Sequence, residues 1–248
     1  MNAIISDIHG NLEALDAVLA DAKSCGASNI YCLGDIVGYG PDSIQCVERA
    51  MSWPIVLMGN FEQAAATNTD LEGWTAHAAK KTVCRFRESL TQYPNVRNFL
   101  CGLSDSFRDN EVLYVHGTAR HPIYEYLFPE DIHLGNKMSE IAKSFDRLCF
   151  CGHTHLPGIF FRGETDDWKF VTPEQCNHEY EITGRKTICN VGSVGQPRDS
   201  DPRACYVLHD DTKIAFRRVS YDVEKTIAKI NNDDEIDDFL GDRLRSGQ

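Results

Sequence analysis

Five times along this chain a short apolar run stops at a glycine and an oxygen- or nitrogen-bearing side chain. The runs Ala3-Ile4-Ile5, Ile30-Tyr31-Cys32-Leu33, Ile55-Val56-Leu57-Met58, Val112-Leu113-Tyr114-Val115 and Leu148-Cys149-Phe150-Cys151 release, in order, Asp7-Ile8-His9-Gly10, Gly34-Asp35, Gly59-Asn60, His116-Gly117 and Gly152-His153-Thr154-His155. Short, almost wholly apolar runs are the pattern of strands buried on both faces. Parallel strands end along one edge of a sheet, so these groups are expected to gather on one rim. Alternation along a strand puts Asp7 and His9 on one side, where both can grip one ion.

The segments between the runs support this reading. Leu12, Leu15, Val18, Leu19 and Ala22 recur at helical spacing, and Gly26 follows where a left-handed cap is wanted. Strand, helix, strand in that order implies a parallel unit with both acidic ends on the same edge. Further helices are expected over about Ser43–Met51, Thr75–Gln92, Asn95–Leu100, Glu130–Lys143 and the charged stretch Asp222–Arg245. From Gly158 onward the pattern changes to short strands separated by turns, near residues 159–161, 169–171, 180–182, 186–189, 204–208 and 214–216, which read as antiparallel hairpins. No internal repeat, low-complexity tract or linker interrupts the chain, so residues 1–248 are expected to form one domain.

Composition excludes several classes. A formal charge of −12 over 248 residues argues against polymeric nucleic acid, whose binding calls for a basic face. Small phosphorylated substrates stay open, because bound cations invert the local field. No apolar run reaches the ~18 residues of a membrane span, and no signal peptide is recognisable. A cytoplasmic location is expected. The ten cysteines are scattered singly, without Cys-x-x-Cys or zinc-finger spacing, and read as reduced thiols, most of them small buried hydrophobes.

Asp7, His9, Asp35, Asn60, His116, His153 and His155 are the candidate metal ligands. Seven donors are too many for one four-coordinate ion and suit two divalent ions sharing a carboxylate. Oxygen with imidazole favours Mn, Fe, Zn, Ni or Co over Ca or Mg, and the lack of thiolate speaks against structural zinc. Two such ions are a known solution for phosphoryl transfer.

Taken in order, Asp7-Ile8-His9, Gly34-Asp35, Gly59-Asn60, Val115-His116-Gly117 and Gly152-His153-Thr154-His155 resemble the blocks of the calcineurin-like metallophosphoesterases, over nearly the whole chain. Residues 35–42 and 190–198 resemble a subgroup of small bacterial and archaeal phosphoesterases. The resemblance implies an α/β fold, a four-layer α/β/β/α sandwich of two mixed sheets flanked by helices, with the metal site at the strand C-terminal ends. It implies one ion held by Asp7, His9, Asp35 and His155 and another by Asp35, Asn60, His116 and His153, with Asp35 bridging. The implied activity is hydrolysis of phosphodiesters, nucleotides or activated phosphomonoesters by a metal-bridging hydroxide.

One block departs from the family pattern. Many members carry histidine after the asparagine of the third block, where it assists the leaving group; here that position is Phe61. Phenylalanine cannot donate a proton, so His121, in the loop after His116, is the nearest candidate acid. Arg198, in a glycine-rich loop, and Arg120 are candidate phosphate contacts, and the loop from Gly38 to Asp42 with Tyr39 is a candidate pocket wall. The alternative is a metal-binding scaffold or protein-interaction module that keeps the fold and has lost catalysis.

Overall fold

The computed structural model describes residues 1–67, 71, 72, 74, 76–165 and 167–248. Two six-stranded sheets form the centre. The first contains β1 (Asn2–Ile5), β2 (Asn29–Cys32), β3 (Ile55–Val56), β9 (Glu179–Glu181), β11 (Ala204–His209) and β12 (Lys213–Val219), in the order β3-β2-β1-β11-β12-β9. The second contains β4 (Ser106–Asp109), β5 (Val112–Val115), β6 (Leu148–Cys151), β7 (Gly158–Arg162), β8 (Trp168–Val171) and β10 (Thr187–Asn190), in the order β4-β5-β6-β10-β7-β8. Strands β1, β2 and β3 run parallel, with Ile4 opposite Tyr31 and Cys32 opposite Val56. Strands β5, β6 and β10 are parallel in the second sheet.

Alternation along these strands decides the layers. Ile4, Tyr114, Phe150, Cys189, Val207 and Phe216 point between the sheets and form one apolar cluster. Their neighbours Ala3 and Ile5 face the helices of the first sheet, α1 (Leu12–Ser24), α2 (Ser43–Ala50), α3 (Asn60–Thr67), α4 (His77–Ser89) and α5 (Pro94–Cys101). Leu113, Val115, Cys149 and Cys151 face α6 (Gly135–Lys143) on the other side. The result is the expected four-layer sandwich. Burial on both faces is why β5 and β6 carry no polar stripe.

Several boundaries differ from the sequence expectation. Helix α3, which begins at Asn60, lies in a stretch for which no helix is expected from the sequence. The helix expected over Thr75–Gln92 is Ala-capped and runs over His77–Ser89, Thr75 itself lying outside the described residues. The Glu130–Lys143 segment is a 3-10 turn over Pro129–His133 and then α6, the chain breaking at Leu134, where ψ is 75°. The last segment divides into α7 (Val223–Asn231), α8 (Phe239–Asp242) and a short 3-10 turn. Strand β10 does not belong to a simple hairpin series: it pairs antiparallel with β7 but parallel with β6. Six of the ten free cysteines, Cys32, Cys46, Cys149, Cys151, Cys189 and Cys205, are buried. No helix among the described residues is long and apolar enough to cross a membrane.

Candidate metal centre

All seven candidate ligands are buried beyond the C-terminal ends of the parallel strands. They fall into two groups: Asp7, His9 and His155, and Asp35, His116 and His153 with Asn60 beside them. Each group draws on both sheets. Asp7, His9, Asp35 and Asn60 follow strands of the first sheet, and His116, His153 and His155 follow strands of the second.

Strand alternation is not what aims Asp7 and His9. β1 stops at Ile5, and both residues lie past it in the left-handed region, with φ of 55° and 48°. Asp35, His153 and His155 share that conformation, at 52°, 67° and 62°. A non-glycine residue there costs of order 1 kcal/mol, so five ligands in that state are a strained set held by their surroundings.

Those surroundings are hydrogen bonds. Backbone N–H groups of Asp7, His9 and Gly10 donate to carbonyls of Gly34, Asp35 and Ile36 at 2.8–3.0 Å, continuing the β1–β2 pairing into the loops. Glu62, fully buried on α3, accepts from the N–H groups of Asp35 and Ile36 at 2.7 Å, Gly59 at 2.9 Å and Val37 at 3.1 Å. Burial and the neighbouring Asp35 charge push the Glu62 carboxyl up to about 7, against the pull of those N–H donors. Asp35 in turn accepts the Phe61 N–H at 2.9 Å, a carboxylate on the first turn of a helix. Gly59 has to be glycine, because a Cβ there would lie 2.1 Å from Asp35 Oδ1. Asn190, at the end of β10, donates to the Gly152 carbonyl and Thr154 Oγ1 at 2.8 Å and accepts the Gly192 N–H at 2.9 Å. That bond set locks the turn carrying His153 and His155.

The imidazoles are oriented by their remote nitrogens. His9 Nδ1 donates to the Val37 carbonyl at 3.0 Å and His155 Nδ1 to the Gln196 carbonyl at 2.5 Å. With the ring proton on Nδ1, each Nε2 presents a lone pair, and the two Nε2 atoms lie 3.2 Å apart. Asp7 Oδ1 is 3.2 Å from His155 Nε2 and has no hydrogen-bond partner among the described residues. Three lone pairs converging on one point repel unless a cation lies among them. Burial lowers the His9 pKa to about 3 and that of His155 below its usual value, so both rings are neutral ligands at pH 7. Burial pushes the Asp7 carboxyl up, but favourable interaction with the neighbouring imidazoles outweighs it and holds Asp7 below the usual carboxylate range.

In the second group, His153 Nε2 donates to the Tyr124 carbonyl at 3.3 Å, freeing Nδ1, which lies 3.0 Å from His116 Nε2. Asp35 Oδ2 is 3.3 Å from His116 Nε2 and 3.8 Å from His9 Nε2, between the groups. Burial opposes charge on His116, yet Asp35, Asp7 and Glu62 raise its pKa to about 9. A proton thus balances acids there that a cation can balance instead. Carboxylate, amide oxygen and imidazole together fit divalent metal ions, and His9, His155 and His153 are each fixed by an outer hydrogen bond, whereas His116 Nδ1 is buried without one among the described residues.

The other sequence candidates are dispersed. Arg198 Nη2 donates to Gln196 Oε1 at 3.2 Å, beside the His155 support, and its buried Nε has no hydrogen-bond partner among the described residues. Arg120 is turned onto Glu125, with bonds of 2.5–3.1 Å. His121 is exposed, its backbone N–H bonded to Thr118 Oγ1 at 3.2 Å. Phe61 is 4% exposed and its ring meets His9, Tyr39 and Trp74 at centroid distances of 4.9 Å. Tyr39 thus stands in the wall of the site. Sequence reasoning missed Glu62 and the role of Asn190. The spacing Gly59-x-x-Glu62 was the available signal for the former, since an acid at the third helical position reaches back to the N-terminal N–H groups.

A family model of the calcineurin-like phosphoesterase superfamily domain matches residues 1–213. The chain is 34% identical over 268 residues to an uncharacterised protein of Methanocaldococcus jannaschii, covering 100% of this chain and 98% of that one. It is similar in structure to a metallophosphoesterase from Sphaerobacter thermophilus, with 33% identity, a TM-score of 0.82, and coverage of 100% and 99%. A hypothetical protein from Pyrococcus horikoshii shares the fold at 20% identity and a TM-score of 0.74, covering 100% and 99%. With that architecture, those two ligand groups and a family match over most of its length, the chain belongs to the calcineurin-like phosphoesterase superfamily.

Proposed function

We propose that this protein is a phosphoesterase that uses two divalent metal ions, drawn from Mn, Fe, Zn, Ni or Co, on small phosphorylated substrates in the cytoplasm. One observation carries the reading: the Nε2 lone pairs of His9 and His155 face each other at 3.2 Å beside the unpartnered Asp7 Oδ1. Asp7, His9, Asp35 and His155 would hold one ion, and Asp35, Asn60, His116 and His153 the other. When bound, such ions draw in phosphoryl oxygens and acidify water, making it a nucleophile near neutral pH. The Val37, Gln196 and Tyr124 carbonyls keep the rings oriented and their ligating nitrogens bare. Arg198 offers its unpartnered Nε to a phosphate oxygen. Arg120, engaged by Glu125, and His121, exposed on its loop, have less support as substrate contact and acid.

Phe61 supplies no proton to the leaving group. A missing general acid costs ~10²–10⁴-fold on esters that need protonation, so diesters and monoesters with acidic leaving groups are the favoured substrates. Phe61 also favours the second reading, a metal-binding scaffold. Metal analysis alongside hydrolysis of bis(4-nitrophenyl) phosphate separates the two. Two ions per chain, with turnover abolished by chelator and reduced more than ~10³-fold in Asp35→Asn, is the expected result. Two ions without turnover on any diester or monoester moves the choice to the scaffold, and no bound metal overturns both.

A further inference from the structure

Beside the second ligand group lies a cavity of about 250 Å³ with an unusual wall. Asn60 and His153 form its inner end, and Tyr39, Phe61, Trp74, Tyr124 and Tyr126 surround the rest. Among the described residues no Lys, Arg, Asp or Glu lines it. The rings are arranged rather than crowded together. Phe61 meets Trp74 edge to face, at 4.9 Å and 71°, and Tyr126 lies flat on His153 at 3.8 Å and 15°. Tyr124 and Tyr126 remain 48% and 44% exposed, leaving large aromatic surface in contact with water. Tyr126 also stacks on Phe128 at 5.5 Å and 12°, and half-exposed aromatic rings beside a buried polar site mark a place for a ligand.

We infer that this cavity receives an uncharged planar aromatic ring attached to a single phosphate, so that the protein acts on aryl-bearing phosphoesters. The inference rests on the phosphoesterase reading for where the phosphate sits, but not for the ring. Three observations select the occupant. Stacking surfaces on several sides suit a flat ring better than a sugar or an alkyl chain. Among the described residues the lining carries no charge, which gives a second phosphate no counter-charge and disfavours nucleoside di- and triphosphates. The volume accepts one ring system with a few attached atoms. The ring can be a phenol-type leaving group, which departs without the proton Phe61 cannot give, or the base of a nucleoside monophosphate. Tyr39, Tyr124 and Asn60 would then offer hydrogen bonds to its edge.

Non-hydrolysable phosphonates test this on the metal-loaded protein without turnover. Phenylphosphonate is expected to quench tryptophan fluorescence and to bind about tenfold more tightly than methylphosphonate. Trp74→Leu should remove the quenching and, by calorimetric titration, erase most of the preference while methylphosphonate binding stays unchanged. Equal binding of the two phosphonates, or a preference untouched by Trp74→Leu, overturns the inference. The methylene phosphonate of adenosine monophosphate distinguishes the sources: tighter binding than phenylphosphonate assigns the ring to a nucleobase, weaker binding to an aryl leaving group. Ring preference in a protein without turnover leaves the cavity standing and removes the phosphoesterase reading. Turnover on aryl and alkyl esters with equal KM does the reverse.

Discussion

Replacing Asn190 by leucine tests how the ligand turns are held. The side chain is fully buried, and leucine keeps its branched shape while removing the polar contacts and adding bulk. Three bonds disappear: two from the amide nitrogen, to the Gly152 carbonyl and Thr154 Oγ1 at 2.8 Å, and one to the amide oxygen, from the Gly192 N–H at 2.9 Å. Thr154 Oγ1 keeps the Leu156 N–H at 3.3 Å and the Gly152 carbonyl keeps the Thr154 N–H at 2.8 Å, so one backbone group, the Gly192 N–H, is newly stranded in the interior. The stranded group costs ~1–3 kcal/mol, the two other lost bonds ~0.5 kcal/mol each, and the added apolar contact returns ~1 kcal/mol, for a net loss of about 2 kcal/mol. In a chain of this size that lowers Tm by roughly 4–8 °C. Urea denaturation should show a reduced midpoint at unchanged m. Because the same bonds fix His153 and His155, metal affinity by calorimetric titration should fall ~10–100-fold. A loss below about 1 kcal/mol together with undiminished metal affinity would refute the argument that Asn190 holds this turn.

Gly59→Ala puts a methyl 2.1 Å from Asp35 Oδ1, and is expected to cost ~1–3 kcal/mol in urea denaturation and to weaken metal binding. Phe61→His places a polar ring in a buried aromatic nest. Thermal unfolding should show ~1–3 kcal/mol of destabilisation, while the ratio of aryl to alkyl ester turnover narrows at least tenfold as a proton donor returns. His209, 5% exposed against Phe150, has its pKa held below 6.5 by burial. As pH falls through 6.5 the unfolded chain takes up a proton that the native state refuses, so stability drops. His209→Leu should therefore have a flatter urea midpoint than wild type between pH 7.5 and 5.5, and parallel slopes would remove His209 as a cause.

The candidate ligands were legible because each sits at the end of a local apolar run, and the chemistry of Asp7, Asp35 or His155 does not depend on what packs nearby. Their conformation was not. The left-handed turns at Asp7 and His9 are imposed by hydrogen bonds to the loop after β2 and to residues around 194, which no local pattern announces. Strand β4 escaped notice because Phe107 is its only large apolar residue, as befits an edge. The parallel pairing of β10 with β6 joins segments nearly forty residues apart, and hairpin reasoning looks only to the adjacent strand. Residues at 120 and 121 were judged by nearness in sequence to His116, whereas Glu125 draws Arg120 away and His121 faces solvent.

Both ligand groups straddle the seam between the sheets, and this gives a bound cation a mechanical role. Apart from a few loop hydrogen bonds, such as the His153 N–H to Asp7 Oδ2 at 2.9 Å, the two layers meet through apolar side chains, which part without breaking directional bonds. A cation held by Asp7, His9 and His155, or by Asp35, His116 and His153, acts as a rivet at the open edge of that seam. Prising the layers apart would break both rivets in one event, so metal loading should slow unfolding as well as shift its equilibrium. Resistance to proteolysis would then report on the metal supply of the compartment, quite apart from any turnover.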